Sequence, residues 1–265
     1  MRNFLIIPIL FIFLASCSNS EDFDIPKISK LEKLEQHSNQ FIKGIYSYDN
    51  GIHVAIGFGI ANSIMVEGEG GNIIIDTTDD ISQAKEVLSE FQKINQNPIK
   101  AIIYTHNHGD HVFGASEFYN AQEEKPLVIA HSTTAEKVEK ILGIINPIIT
   151  IRSGKMFGTN LDEDELINVG LGPYLSAGRS SPGYIAPTMT FEKELKLEIA
   201  GHKVELYHAP GETDDQLFVW FPELSALMPG DNFYMTFPNL YTIRGTSHRD
   251  VIGWVNSIDK MRSLD

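Results

Sequence analysis

At 265 residues, with 42% apolar and 21% charged side chains, the chain is long enough to bury a full core and ordinary enough in composition to be globular. Its 35 acids against 21 bases leave a formal charge of −14, which argues against nucleic-acid binding because that needs a basic footprint. Cys17 is the only cysteine, so the folded part holds neither a disulfide nor a catalytic thiol.

The amino terminus reads as a targeting segment. Arg2 precedes an almost wholly apolar run from Phe4 to Ala15, shorter than the about 20 residues that cross a bilayer. It ends in Leu14-Ala15-Ser16-Cys17, which resembles a bacterial lipobox. The expectation is a signal peptide over 1–16, a lipidated Cys17, and a location in the bacterial cell envelope outside the cytoplasm, anchored to the membrane by lipid. Polar and acidic residues follow, so 17–40 is expected to be the lipidated cysteine and a flexible tether.

From about residue 41 the pattern is that of packed structure. Strands are predicted at His53 to Ile56, Ser63 to Val66 and Asn72 to Ile75. Asp80 caps a helix with Gln83 three residues on, and Ala84, Val87, Leu88 and Phe91 form its apolar face. The β-branched run Ile99 to Tyr104 is a buried strand.

Immediately after that strand stands Thr105-His106-Asn107-His108-Gly109-Asp110-His111. Open α/β sheets keep their binding crevice at the carboxyl ends of strands. Imidazole and carboxylate together suit zinc, and four donors on tethers this short exceed what one tetrahedral ion can use. The spacing therefore implies two metals, His106 and His108 serving one and Asp110 and His111 the other.

Leu127 to Ala130 is a further strand, and Ala135, Val138, Ile141 and Leu142 mark a helix stopped by Gly143. Ser132-Thr133-Thr134 fits a helix cap better than a hydroxyl nucleophile, since no base is paired with it. Residues 144–190 show no sustained period and are rich in proline and glycine, which suggests an insertion near the active site. Leu195 to Ile199 and Val204 to Tyr207 form a hairpin around Ala200-Gly201-His202, followed by a strand from Leu217 to Phe221 and a segment from Ala226 to Asn232. Ser247 and Asp250 start a final helix bearing Val251, Trp254, Val255, Ile258 and Met261. His131, His202, His208 and His248 are read as structural.

The His-x-His-x-Asp-His run, then Pro210-Gly211-Glu212-Thr213, then Gly230-Asp231, resembles the metallo-β-lactamase superfamily. Glutamate where lactamase- and lactonase-like members carry histidine is similar to the alkyl sulfatases of that superfamily. Gly170-Leu171-Gly172, Ile185-Ala186-Pro187-Thr188 and Asn239-Leu240-Tyr241-Thr242-Ile243-Arg244-Gly245 also resemble that family. The resemblance implies an α/β fold, the αββα sandwich, over 41–265. It implies two Zn²⁺ ligated by His106, His108 and Glu212 on one side and by Asp110 and His111 on the other, with Asp231 bridging. Hydrolysis of an alkyl sulfate ester by a metal-activated water, with no protein nucleophile, would release alcohol and sulfate. Attack on carbon rather than sulfur is compatible with it.

Asn239, Tyr241 and Arg244 offer an amide, a hydroxyl and a planar guanidinium within one short stretch, and by resemblance line the sulfate pocket. Arg179 is a weaker candidate. The resemblance also implies one more histidine on the second metal, from a strand after the final helix. No such position follows that helix here, so the domain is expected to be incomplete at its carboxyl end and to hold its first zinc more tightly than its second. A homodimer is compatible with this reading. The alternatives are a hydrolase of the same fold acting on a lactone, thioester or β-lactam, and a lipid-anchored zinc-binding protein without turnover.

Overall fold

A computed structural model describes residues 29–162, 165–175 and 182–264. Its first sheet runs in chain order through β1 (Gly44–Tyr48), β2 (Ile52–Ile56), β3 (Ser63–Gly68), β4 (Gly71–Ile75), β5 (Ile99–Ile103), β6 (Leu127–His131) and β7 (Met189–Phe191). Strands β1 to β4 pair antiparallel, and β4 to β7 parallel. The second sheet is antiparallel: β8 (Glu194–Ile199), β9 (His202–His208), β10 (Leu217–Phe221) and β11 (Ala226–Met228), in the order β11-β10-β9-β8. The helices are α1 (Lys30–His37), α2 (Ile81–Ile94), α3 (Gly109–Val112), α4 (Ala115–Asn120), α5 (Thr134–Leu142), α6 (Asn146–Met156) and α7 (Val251–Arg262).

Period-two alternation sorts the strand residues into two cores. Ile73, Ile75, Ala101, Ile103 and Ile129 meet Val204, Leu206, Leu217, Val219 and Phe221 between the sheets. Their neighbours Ile74, Ile102, Val128 and Ala130 pack on the other face against Ala84, Val87, Phe91, Phe118 and Val138 of the helices. Parallel strands covered on both faces read as continuous apolar runs, and Ile73-Ile74-Ile75 and Ala101-Ile102-Ile103 do so. Each such isoleucine, fully buried, contributes about 1.5–3 kcal/mol. Tyr207, Phe218 and Trp220 on the outer face of the second sheet receive Ile258 and Met261 of α7. The layers are therefore helix, sheet, sheet, helix, the αββα arrangement.

Several local expectations match. Asp80 is the N-cap of α2 and its side chain accepts from the Gln83 amide at 2.9 Å. The β8–β9 hairpin turns through Ala200 and Gly201 at φ +50° and +79°, the left-handed pair that a two-residue connection requires.

Other elements differ, each for a local reason. In the tether assigned to 17–40, residues 30–37 are helical: Ser29 and Glu32 form a capping box, and Asn168 Nδ2 donates to the Leu34 carbonyl at 2.8 Å. Within the 144–190 segment lies α6, with Pro147 in its first turn, where a missing N–H costs nothing. The last helix is capped by Asp250 itself, which accepts from Ile252 N, so Ser247 lies outside it. Its Val251 and Val255 are exposed, and Ser257 shares the buried face with Trp254 and Met261. Residues 226–232 are a short strand followed by a 3₁₀ turn at Gly230–Asn232. Thr133 occupies the N-cap of α5 without a side-chain cap, because its hydroxyl is bonded to His131 Nδ1. The expected signal peptide over 1–16, Cys17 and Arg179 lie outside the described residues.

Candidate metal centre

The ligand run leaves the carboxyl end of β5, which brings it above the sheet. Thr105 N donates to Asp76 Oδ1 at 2.8 Å, so the end of β4 anchors the loop from beside it. His108 is the N-cap of α3, and that single turn carries Asp110 and His111 inward. The Pro-Gly turns at 210–211 and 229–230 deliver the other carboxylates. Both need glycine: a Cβ on Gly211 would lie 2.1 Å from Asn232 Oδ1, and one on Gly230 (φ +55°) 2.3 Å from Gln216 Nε2.

Two clusters result, and Asp231 belongs to both. His106, His108 and Asp231 form one; Asp110, His111 and Asp231 form the other. Asp231 Oδ2 stands 3.9 Å from His106 Nε2 and 3.4 Å from His111 Nε2, and His111 Nε2 is 3.5 Å from Asp110 Oδ2. Donors about 2.0–2.2 Å from a tetrahedral zinc lie roughly 3.3–3.6 Å apart, so the two separations around His111 are those of ligands around an ion and the one at His106 is a few tenths of an ångström wider. His106 Nε2 and His111 Nε2 are buried with no hydrogen-bond partner. Buried polar nitrogens left unpaired are costly, and a metal would satisfy both. The donor set thus fits two divalent ions with a shared carboxylate.

Glu212 stands slightly apart. Its Oε1 is 3.6 Å from His108 Nδ1, a ligand-like separation, yet it is in neither tight cluster. Arg249 Nη2 donates to Oε1 and Tyr234 Oη donates to Oε2.

Protonation follows from burial and charge. Burial, then the neighbouring His111 and His108, holds His106 well below the usual imidazole range. Burial and Arg244 do the same for His108. Both rings are therefore neutral, as ligands must be. For His111, burial opposes the charged form, but Asp231, Asp76 and Asp110 together raise it well above the ordinary value. Asp110 is lowered despite its burial, chiefly by His111. Burial and Asp231 push the Glu212 carboxyl up to about 8 against the pull of Arg249 and Arg244.

A second set of residues orients the ligands, and sequence reading missed it. Asp76, held at φ +57°, accepts from His111 Nδ1 at 2.7 Å and from Thr105 Oγ1 at 2.8 Å through Oδ2. That bond fixes the tautomer and turns Nε2 of His111 to the site. Buried Asp215 accepts from Asn107 Nδ2, Thr134 Oγ1 and Thr213 Oγ1, joining the His106–His108 loop to the Glu212 turn. An aspartate closing a strand was the one visible signal, in Ile75-Asp76.

Around the clusters opens a cavity of about 1270 Å³ whose walls include His108, Asp110, His111, Glu212 and Asp231. Asn239 and Arg244 line it. Arg244 lies 5.7 Å over the Phe157 ring and has no carboxylate partner among the described residues; burial lowers its affinity for its proton. Tyr241 does not line the cavity. It is 68% exposed, because its amide donates to Asn239 Oδ1 and the next residue, Thr242, takes the inward position. Residues Ile145 to Phe157 and Gly170 to Leu175 contribute part of the wall, so the 144–190 segment does border the site. Phe233, Met235 and Phe237 stand exposed at the mouth. His131 stacks on His208 at 4.2 Å, and His202 Nε2 donates to the Glu67 carbonyl at 2.7 Å, away from the clusters. His248 is exposed.

Comparisons with known proteins agree with this fold. The sequence model described as "Metallo-beta-lactamase superfamily" matches residues 56–265. The chain is 40% identical over 206 residues to a linear primary-alkylsulfatase of Pseudomonas sp., covering 76% of this chain and 39% of that protein. It is 27% identical over 232 residues to the alkyl/aryl-sulfatase BDS1 of Saccharomyces cerevisiae, covering 83% and 35%. The chain thus spans between a third and two fifths of the length of these curated relatives. Among solved structures, a variant of the sec-alkyl sulfatase PisA1 superposes with TM-score 0.78 at 25% identity, over 88% of this chain and 38% of that one. The metallo-β-lactamase IND-7, 19% identical with TM-score 0.53, covers 83% of this chain and 84% of its own and shares the fold.

Proposed function

The chain belongs to the metallo-β-lactamase superfamily, and from that premise we propose that its two clusters hold zinc and serve the hydrolysis of alkyl sulfate esters to alcohol and sulfate. His106, His108 and Glu212 would hold one ion, Asp110 and His111 the other, and Asp231 would bridge them. When bound, the ions would supply Lewis acidity and a water nucleophile available at neutral pH. The identity to a linear primary-alkylsulfatase supports this substrate class.

One observation carries the reading: Arg244, a guanidinium without a carboxylate partner among the described residues, lines the same cavity as His111, whose Nε2 is unpartnered, and the carboxylates Asp110, Glu212 and Asp231. A planar guanidinium recognises an oxyanion through two parallel N–H bonds, and burial strengthens that contact. Asn239 would add an amide, and the apolar mouth at Phe233, Met235 and Phe237 suits an alkyl chain. Asp76 and Asp215 would hold the ligand rings still while the substrate binds.

The resemblance of Leu14-Ala15-Ser16-Cys17 to a lipobox supports a lipid-anchored place in the cell envelope; Cys17→Ala should then leave the membrane fraction. The deciding experiment is sulfate release from a medium-chain alkyl sulfate by zinc-loaded protein, run beside a lactone, a thioester and a β-lactam. Turnover of one of those three with none of the sulfate ester would assign a different hydrolase. Zinc binding with no turnover at all would leave a binding protein.

A further inference from the structure

We propose that Arg249 is a positioning residue for the metal centre, aiming the Glu212 carboxylate at the first ion. The inference rests on the two-zinc reading above and adds a residue that takes no direct part in it.

Arg249 is only 4% exposed and carries a permanent charge. Its fork joins two segments: Nη2 donates to Glu212 Oε1 and Nη1 to the Asn239 carbonyl. Its own amide donates to the Leu240 carbonyl at 3.1 Å, so its backbone is pinned to the segment that also carries Arg244. Nε is buried without a partner. The side chain has therefore settled where Glu212 and Asn239 need it, leaving one of its own donors unsatisfied. Glu212 is held in return from every side: by Arg249, by Tyr234 Oη at 3.3 Å, and by Asn232 Oδ1, which accepts from its amide at 3.3 Å. A glutamate on a turn would otherwise sample several rotamers.

Stability alone does not explain the pair, since replacing a buried ion pair by apolar groups is often neutral or stabilising. Aim does. Arg249 fixes Glu212 Oε1 3.6 Å from His108 Nδ1, where one ion could take both. Without that contact the carboxylate would be free to turn away from the ligand cluster.

Zinc affinity measured by chelator competition at one pH, without substrate, tests this. Arg249→Met should weaken first-site zinc binding by about tenfold or more, the usual effect of losing a ligand-orienting contact. Arg249→Lys, which keeps the charge and loses the fork, should recover part of it. In a Glu212→Gln background, Arg249→Met should add less than about twofold, because both changes act through one contact. Tyr234→Phe, which removes the hydrogen bond on the other Glu212 oxygen, should shift affinity the same way by less, and it stands in if Arg249→Met does not fold. Equal losses in both backgrounds, unchanged or tighter zinc in folded Arg249→Met, or no shift in Tyr234→Phe would overturn the role. Wild-type protein that takes up no zinc would overturn the two-zinc reading and this one together. Zinc data as expected with no sulfate release would sink only the sulfatase.

Discussion

Replacing Asp76 by asparagine isolates the orientation of His111 from the metal ligands themselves. The wild-type carboxylate takes three protein donors: Thr105 N on Oδ1, and Thr105 Oγ1 and His111 Nδ1 on Oδ2. Asparagine has one acceptor oxygen. If that oxygen faces His111, the new amide faces the Thr105 N–H, donor against donor. If it faces Thr105, the amide opposes His111 Nδ1–H and drives the proton to Nε2, the nitrogen that must bind metal. Asparagine tolerates the left-handed φ of +57°, so backbone strain does not enter. One buried donor left unpaired costs about 1–3 kcal/mol and a lost charge-assisted bond about as much, or roughly 2–6 kcal/mol together. For a domain of this size that is a fall in melting temperature of roughly 4–24 °C for the metal-free protein. Zinc affinity at the Asp110–His111 site should drop about 10–100-fold. Scanning fluorimetry and chelator competition read the two effects separately. Wild-type melting together with wild-type zinc affinity would refute the orienting role of Asp76.

Elemental analysis of zinc-saturated protein should give close to two ions per chain, and a plateau at one would remove the shared role of Asp231. Because His111 is held protonated in the metal-free fold, its contribution to stability is complete below about pH 6.5 and is lost as pH rises through the higher folded value. Zinc needs the deprotonated ring, so uptake should release protons in weak buffer and tighten with rising pH; pH-independent binding would contradict that charge state. Arg244→Ala should raise KM for an alkyl sulfate by about tenfold or more, as loss of a charge-assisted contact does, with a smaller change in kcat; an unaltered KM takes Arg244 out of the pocket.

The sequence by itself determined many of the strands and helices and the ligand run, whereas the layered sandwich was implied by the resemblance of its motifs to a family. Apolar β-branched runs and period-3.6 apolar faces are written within a few residues of one another, and so are His106, His108, Asp110 and His111, because one turn of loop and α3 delivers them all. The capping box at Ser29 and Glu32 was equally local and could have been read from its spacing. Only the tertiary structure decided which groups support those ligands. Asp76 reaches His111 across 35 residues, Glu212 meets Arg249 across 37, and Asn107 meets Asp215 across 108. Such pairs depend on how β4, β5 and the turns after β9 and β11 are stacked, and no local period encodes that stacking. Tyr241 shows the same limit from the other side. The resemblance of the Asn239–Arg244 stretch placed it in the pocket, but a turn of backbone, set by contacts on Asn239 and Thr242, sends its ring to solvent. Chemistry close in sequence is legible because the chain can bend only so far between neighbours, whereas orientation is decided by what the rest of the fold presses against them.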